Sequence, residues 1–109
     1  MSEMREATFL ILTALADEPR HGYGIIQEVA GLSGGRVNLL PGTLYAALDR
    51  LVAQGLVELS HEEVVDGRLR RYYRLRGDGQ AELARQTERL RQLASAAETR
   101  LRALRPRPA

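Results

Sequence analysis

The sequence contains no cysteine, no lysine and no tryptophan, and only two of its residues are histidines. Without cysteine the chain can form no disulfide, thiol nucleophile or cysteine-ligated zinc site. His21 and His61 have no neighbouring metal-ligand pattern, so we expect neither a metal nor a cofactor. Because the chain also lacks a glycine-rich phosphate loop between a strand and a helix, and shows no Ser-His-Asp arrangement, we expect a protein that is not an enzyme.

Long apolar runs are absent as well. No stretch of about 18 apolar residues occurs, and no basic segment followed by an apolar one opens the chain. The length of 109 residues allows one small domain with an appended element. Apolar residues make up 44% and charged residues 28%, as in ordinary globular domains. We therefore expect a cytoplasmic protein with no membrane partner.

Positive charge is concentrated in one short segment. The formal net charge is only +2, and all sixteen basic residues are arginines. Residues 1–65 carry four arginines and nine acids, residues 66–76 five arginines and one acid, and residues 77–109 seven arginines and four acids. A modest total charge thus conceals a basic segment at residues 66–76, a distribution that favours contact with phosphate.

Apolar periodicity predicts three helices before the basic segment, at residues 5–16, 22–32 and 42–54. The first is apolar almost all round, so it needs a second burial partner besides its own core, and we expect Phe9 to contact another subunit. Residues 37–39 are a candidate short strand. Gly55 is predicted to end the third helix in a left-handed conformation.

The third helix has the pattern of a recognition helix. A proline at its first turn starts it, and one face is apolar, with Leu44, Leu48, Leu51 and Val52. The other face is left free for DNA, and it carries Thr43, Tyr45, Ala46, Asp49 and Arg50.

Each residue on the free face has a role and an alternative. Thr43 and Tyr45 are predicted to contact phosphates from the first turn, although the Tyr45 ring could instead pack on the second helix. Ala46 could touch a thymine methyl group. Arg50 could reach a guanine edge or a phosphate, or form a surface ion pair with Asp49. At the start of the second helix, His21 could cap the helix or reach a phosphate.

The basic segment is predicted to be a hairpin, with strands at residues 56–63 and 68–76, that serves as a wing. A two-residue Asp66-Gly67 turn would pair Leu59 with Arg74 and place arginine on the core face. A three-residue loop, residues 65–67, instead pairs Leu59 with Tyr73, and we prefer this register.

The preferred register also sets Glu58 opposite Arg74 and Glu62 opposite Arg70. Arg68 and Arg71 are then the freer residues for a minor groove or a phosphate backbone. A solvated hairpin with incidental arginines is the alternative. The candidate DNA contacts are His21, Tyr23, Pro41, Gly42, Thr43, Tyr45, Ala46, Arg50, Arg68, Arg70 and Arg71.

The last helix, residues 78–104, carries a heptad seam and is predicted to pair with a copy of itself. The alternative is a long helix that folds back on its own domain. Residues 1–76 would then form a winged helix-turn-helix DNA-binding domain, and residues 77–109 the dimerisation helix and a frayed tail. The seam contains Leu83, Thr87, Leu90, Ala94, Ala97, Leu101 and Leu104.

Four motifs resemble those of PadR-type transcriptional regulators, and the resemblance covers roughly residues 9–79. These motifs correspond to the start of the second helix, the recognition helix, its exit, and the strand after the wing. They are His21-Gly22-Tyr23-Gly24-Ile25, Pro41-Gly42-Thr43-Leu44-Tyr45, Gly55-Leu56-Val57 and Arg71-Tyr72-Tyr73-Arg74-Leu75.

The resemblance implies a mainly α protein with a small β-hairpin, that is, a winged helix-turn-helix plus a long C-terminal dimerisation helix. It further implies a homodimeric repressor that binds an inverted-repeat operator in double-stranded DNA, often near its own gene, and is released by a small-molecule effector. Where the family usually has threonine before the last helix, this chain has Arg76, so we expect no side-chain N-cap there. The alternative function is a winged-helix protein-protein interaction module without specific DNA binding.

Overall fold

The computed structural model describes residues 4–105, which form four helices and a small antiparallel sheet. The three helices predicted in the first half are present; the second has the predicted bounds, and those of the other two differ by one or two residues. In chain order the first elements are α1 (Glu6–Ala14), β1 (Arg20–His21), α2 (Gly22–Leu32) and α3 (Pro41–Ala53).

The second half contains the predicted hairpin, β2 (Val57–Val65) and β3 (Arg68–Leu75), and the long helix α4 (Gly77–Ala103). The strand order is β1-β3-β2. These elements confirm the mainly α winged fold with a long C-terminal helix. The last residues of the predicted tail, 106–109, lie outside the described residues.

The predicted strand at residues 37–39 is wrong, because this segment is an irregular connection between α2 and α3. The edge of β3 that such a strand would need is occupied by β1, where Arg20 pairs with Tyr73 and His21 with Tyr72. Val37 and Leu39 instead pack against the core as partly buried side chains. The two-residue β1 has no alternation that sequence reasoning could detect.

The core lies where the first three helices meet the base of the hairpin. Its fully buried side chains come from all of these elements: Ile11, Leu12, Ile25, Val29, Leu44, Leu48, Leu51 and Val57. The first helix also contacts α4 of the same chain, which covers part of its second apolar face. Phe9 remains half-buried there.

The hairpin combines the two registers that the sequence allowed. Asp66 and Gly67 both have positive φ, 53° and 76°, and form a tight two-residue turn, so the predicted three-residue loop is wrong. A bulge at Ser60 absorbs the extra residue. On the side of the bulge away from the turn, Leu59 pairs with Tyr73 as predicted, and the apolar side chains of β2 reach the core.

The long helix leaves the domain. It begins at Gly77 after Arg76, which makes no side-chain cap hydrogen bond, as expected. Its 27 residues give the molecule extents of 70 × 28 × 22 Å. Beyond Leu83 its leucines are largely exposed, from 42% at Leu90 to 78% at Leu104. No helix within residues 4–105 combines the length and apolarity needed to cross a membrane.

Candidate nucleic-acid interface

A basic cleft of about 710 Å³ opens between the start of α2, Tyr45 on α3 and the wing, whereas Gly42, Thr43 and Ala46 line a separate groove between α1 and α3. The cleft brings together residues that are up to 50 positions apart in the sequence. The lining residues are His21, Gly22, Tyr23, Tyr45, Arg68, Leu69, Arg70 and Arg71. Six of these eight are candidate DNA contacts from the sequence, whereas Gly22 and Leu69 are not.

His21 joins α2 to the wing. Its Nδ1 accepts a hydrogen bond from the Gly24 N–H at 3.1 Å and so caps α2, while its Nε2 lies 3.3 Å from the Arg70 Nη1. The Tyr72 ring packs edge-on against it at 5.2 Å. Burial and the Arg70 charge lower the pKa of His21, and Glu63 opposes them. These effects favour the neutral ring over the imidazolium.

Tyr45 packs on α2, the alternative to a phosphate contact, and remains accessible. Its hydroxyl lies against Gly22, so closely that a Cβ on Gly22 would stand 2.5 Å from the oxygen, yet the side chain is 46% exposed. The ring thus packs on the start of α2 while its polar edge lines the cleft. The tight contact requires glycine at position 22.

The first turn of α3 has backbone donors available to a ligand. The helix starts at Pro41, and Leu40 before it supplies no side-chain cap. Gly42, Thr43 and Ala46 are exposed on the surface that faces away from the core. Unpaired N–H groups with a hydroxyl beside them form a suitable site for a phosphate oxygen.

The arginines of the wing differ in their partners. Arg74 Nε lies 3.0 Å from the Glu58 Oε1, and Arg71 Nε lies 3.7 Å from the Glu62 Oε1. The pairing of Glu58 with Arg74 was predicted, but that of Glu62 with Arg70 was wrong, because the bulge moves Arg71 opposite Glu62. Within residues 4–105, Arg68 has no carboxylate at salt-bridge distance.

Arg50 lies apart from the wing. Its Nη2 donates to the Thr8 Oγ1 at 3.1 Å and ties α3 to α1, and no ion pair with Asp49 forms among residues 4–105. Asp49 instead lines a groove with Glu62 and Arg71. Arg50 also lines a second cleft, of about 630 Å³, between α1, α3 and α4. The sequence had given no sign of this cleft.

Tyr72 was not among the candidate residues, although it organises the outer face of the sheet. Its ring stacks on His61, with 4.5 Å between ring centroids and 9° between planes, and meets His21 edge-on. The two-residue alternation of β3 places Tyr72 on the same face as Arg70, which was the available sequence signal. The partner His21 could not be foreseen, since it comes from the unrecognised strand β1.

Comparison with known proteins gives concordant results. The model of the transcriptional regulator PadR-like family matches residues 11–85. The chain is 45% identical over 84 residues to the transcriptional regulator Rv3488 of Mycobacterium tuberculosis, across 77% of this chain and 75% of that protein.

Solved structures share the fold. A PadR-like transcription factor from Bacteroides fragilis is similar with a TM-score of 0.70 and 29% identity, over 84% of this chain and 86% of that chain. Bacillus subtilis PadR, solved in complex with operator DNA, matches with a TM-score of 0.66 and 18% identity. That match covers 98% of this chain and 51% of PadR. These relatives are regulators, which agrees with the expectation of a protein that is not an enzyme. The chain belongs to the PadR-like family of transcriptional regulators.

Proposed function

We propose that this protein is a sequence-specific DNA-binding repressor that acts as a homodimer on an inverted-repeat operator. The observation that carries the proposal is the basic cleft, in which the wing arginines lie beside Tyr45 of α3 and the start of α2. A helix and a wing in this relation can contact a major groove and the adjoining backbone together. The operator complex of the Bacillus subtilis relative supports the same use of the fold.

The contacts divide by chemistry. Thr43, Tyr45 and the backbone around Gly42 would bind phosphate, and Ala46 would meet a base edge. Within the described residues, neither Arg68 nor Arg70 has a carboxylate partner, but Arg70 contacts His21. Arg68 is therefore the freest wing residue for the minor groove or a phosphate. Arg50 would contribute only after its guanidinium leaves Thr8.

Dimerisation through α4 is part of the proposal. The exposed leucines and the small Ala94 and Ala97 follow the heptad seam, and a helix of 27 residues spans about 40 Å at 1.5 Å per residue. Most of that length extends beyond the winged domain, so a second copy is the partner that matches its seam. Two winged domains on one face of DNA would place half-site centres about one or two helical turns apart.

A small-molecule effector would fit the cleft between α1, α3 and α4. Its lining combines charged and amide side chains, among them Arg50 from α3 and Glu82 and Gln86 from α4. A ligand there would touch both the recognition helix and the proposed dimerisation helix. Release of DNA would follow if the ligand favours one relative position of the two helices.

The alternative, a protein-interaction module, has a specific observation in its favour. Glu58 lies near both Arg74 and Arg76, and Glu62 lies near Arg71, so carboxylates partly neutralise the wing. Binding of such a wing to an acidic protein surface would depend less on salt concentration than binding to a phosphate backbone. Salt dependence on a DNA duplex therefore separates the two functions.

The test is a titration against duplex DNA from upstream of the protein's own gene, with random DNA as competitor and salt varied. We expect a discrete complex that survives competitor, with log K falling by about 0.9 per neutralised phosphate for each unit of log salt. Arg68→Ala should reduce that slope by about one phosphate, whereas Arg100→Ala, an equal loss of charge near the end of α4, should not. Equal affinity for every duplex, unchanged by salt concentration, would overturn the proposal.

A further inference from the structure

The ring of His21 faces more hydrogen-bond donors than it can accept. Gly24 N–H lies 3.1 Å from Nδ1 and Arg70 Nη1 lies 3.3 Å from Nε2. A neutral imidazole has one acceptor nitrogen and one N–H. At one of the two ring nitrogens, therefore, the ring N–H faces another donor and no hydrogen bond forms there.

The backbone decides which nitrogen carries the proton. The Gly24 N–H belongs to the first turn of α2 and cannot turn away unless that turn unwinds. The Arg70 guanidinium is at the end of a long side chain and can shift. The ring itself is fixed by the pairing of β1 with β3 and by the edge-on Tyr72. The proton consequently resides on Nε2, so the Nε2–H and the Arg70 guanidinium are two donors at one point of the cleft.

We propose that His21 Nε2–H and the Arg70 guanidinium together bind one phosphate oxygen of the DNA backbone, with His21 acting as a neutral donor of fixed tautomer. This inference rests on the proposed function and identifies one contact within it. An anionic oxygen accepts from both groups and removes the conflict between them. Arg68, Arg71 and the Tyr45 hydroxyl line the same cleft and add to its attraction for a phosphate.

The charges around His21 keep the ring neutral. Arg70 on β3 disfavours the imidazolium, as burial does, and only Glu63 on β2 favours it. Tyr72, also on β3, contributes an uncharged ring. A second proton would have to sit on Nδ1, where it would meet the Gly24 N–H and break the cap. A phosphate contact from this histidine therefore adds a hydrogen bond but no positive charge.

The sharpest test compares His21→Asn with Arg70→Ala on a mixed-sequence duplex, because a phosphate contact requires no particular operator. Asparagine is a good N-cap and preserves the start of α2, but it removes the Nε2–H. We expect His21→Asn to weaken binding about tenfold, the loss of one hydrogen bond to a charged group, with an unchanged salt slope. Arg70→Ala should weaken binding and lower the slope by about 0.9.

Two measurements on the unaltered protein complete the test. Nitrogen-15 NMR of the histidine ring should show the proton on Nε2, and the Nε2–H resonance should shift when the duplex is added. Binding should not strengthen between pH 7.5 and the ordinary imidazole pKa of about 6.5, as it would if the contact required an imidazolium.

An unchanged affinity in His21→Asn, a proton on Nδ1, or a salt slope that falls with His21→Asn would each overturn the inference while leaving the repressor proposal intact. If the unaltered protein binds no duplex in a salt-dependent way, the proposed function itself fails, and the inference with it.

Discussion

The Tyr45 hydroxyl of α3 rests on the backbone of Gly22 at the first residue of α2, with no room for a side chain between them. This contact joins the two helices at the cleft, and it relates the position of the recognition helix to that of His21, the cap of α2. Since the cleft depends on the packing of these two helix starts, small changes there should affect binding more than folding.

Gly22→Ala should separate binding from stability. The new Cβ would displace the Tyr45 ring, which is half exposed and can swing outward. The free energy of unfolding should therefore fall by at most about 1 kcal/mol. Affinity for DNA should fall about tenfold because the hydroxyl leaves the cleft. Titration and urea unfolding measure the two effects. Gly31→Ala in the same helix, where a Cβ meets nothing within 4 Å, is the control that should leave affinity unchanged.

Gly79→Ala should destabilise the fold itself. A Cβ there would overlap the backbone carbonyl oxygen of Leu56, which already accepts a hydrogen bond from the Arg76 N–H at 3.0 Å. Backbone cannot yield as a side chain does, so we expect a loss of about 2–3 kcal/mol in urea unfolding. Gly77→Ala, two residues earlier in open space, should instead gain about 0.5 kcal/mol. Equal effects of the two variants would contradict this packing.

Deletion of Ser60 should alter the direction of the wing. The bulge lets a tight turn and a core-matched register coexist in one hairpin, and bulges bend and twist the strand that carries them. Without Ser60 both halves would share one register, so stability should change by less than about 1 kcal/mol. The wing would point elsewhere, and DNA affinity should drop at least about tenfold. Unaltered affinity would show that the bulge has no part in binding.

Leu101→Glu should dissociate the proposed dimer. The side chain is 62% exposed in the single chain, so a charge there costs the fold little, but it would be buried in a paired seam. Sedimentation should give the mass of one 12.1 kDa chain instead of two. Gln92→Glu places the same charge on the opposite face of α4 and should leave the dimer intact. A monomeric unaltered protein at micromolar concentration would contradict the seam.

Stability should fall as the pH drops below about 6.5, and His21 should cause the change. Its pKa is lowered in the folded chain, chiefly by burial, so the unfolded chain binds more protons below its ordinary value of 6.5. The stabilisation is thus complete above that value and is lost as the pH falls towards the folded pKa. Urea unfolding at pH 7.5 and 5.5 should show a larger difference for the unaltered protein than for His21→Asn.

The pH interval lies above the two carboxyl groups whose pKa is shifted. Glu6 and Glu82 have pKa values lowered by hydrogen bonds from Arg36 and Gln86 respectively, so both titrate below it. A pH dependence of the same size in His21→Asn would assign the effect to another residue.

Much of the candidate interface could be predicted because its signals are local. A proline at the first turn, an apolar stripe and a left-handed Gly55, with φ of 76°, define α3 within one stretch of chain. At the start of α2, His21 was expected either to cap that helix or to reach a phosphate, and it does cap α2. The hairpin was likewise predicted in its core half, where Leu59 and Tyr73 had to face inward.

The errors arose where two segments compete for one partner. Residues 37–39 are as apolar as a strand, but β1 takes the edge of β3, and no local pattern announces a strand of two residues. Arg71 was expected to be free and Arg70 to face Glu62, but Arg71 faces Glu62. This error arose because the preferred turn and the preferred core register differ by one residue, which the bulge at Ser60 absorbs. Arg50 donates a hydrogen bond to Thr8 on α1 and forms no ion pair with Asp49, its neighbour in sequence.

The sequence by itself determined the helices, the basic hairpin and the exposed seam of α4, since periodicity, turn residues and charge are properties of short segments. Only the tertiary structure decided which wing arginines have no carboxylate partner, which nitrogen of His21 faces the cleft, and why glycine at position 22 lets the Tyr45 hydroxyl rest on α2. Those depend on distances between segments up to almost fifty residues apart, and such distances are set by how the core packs.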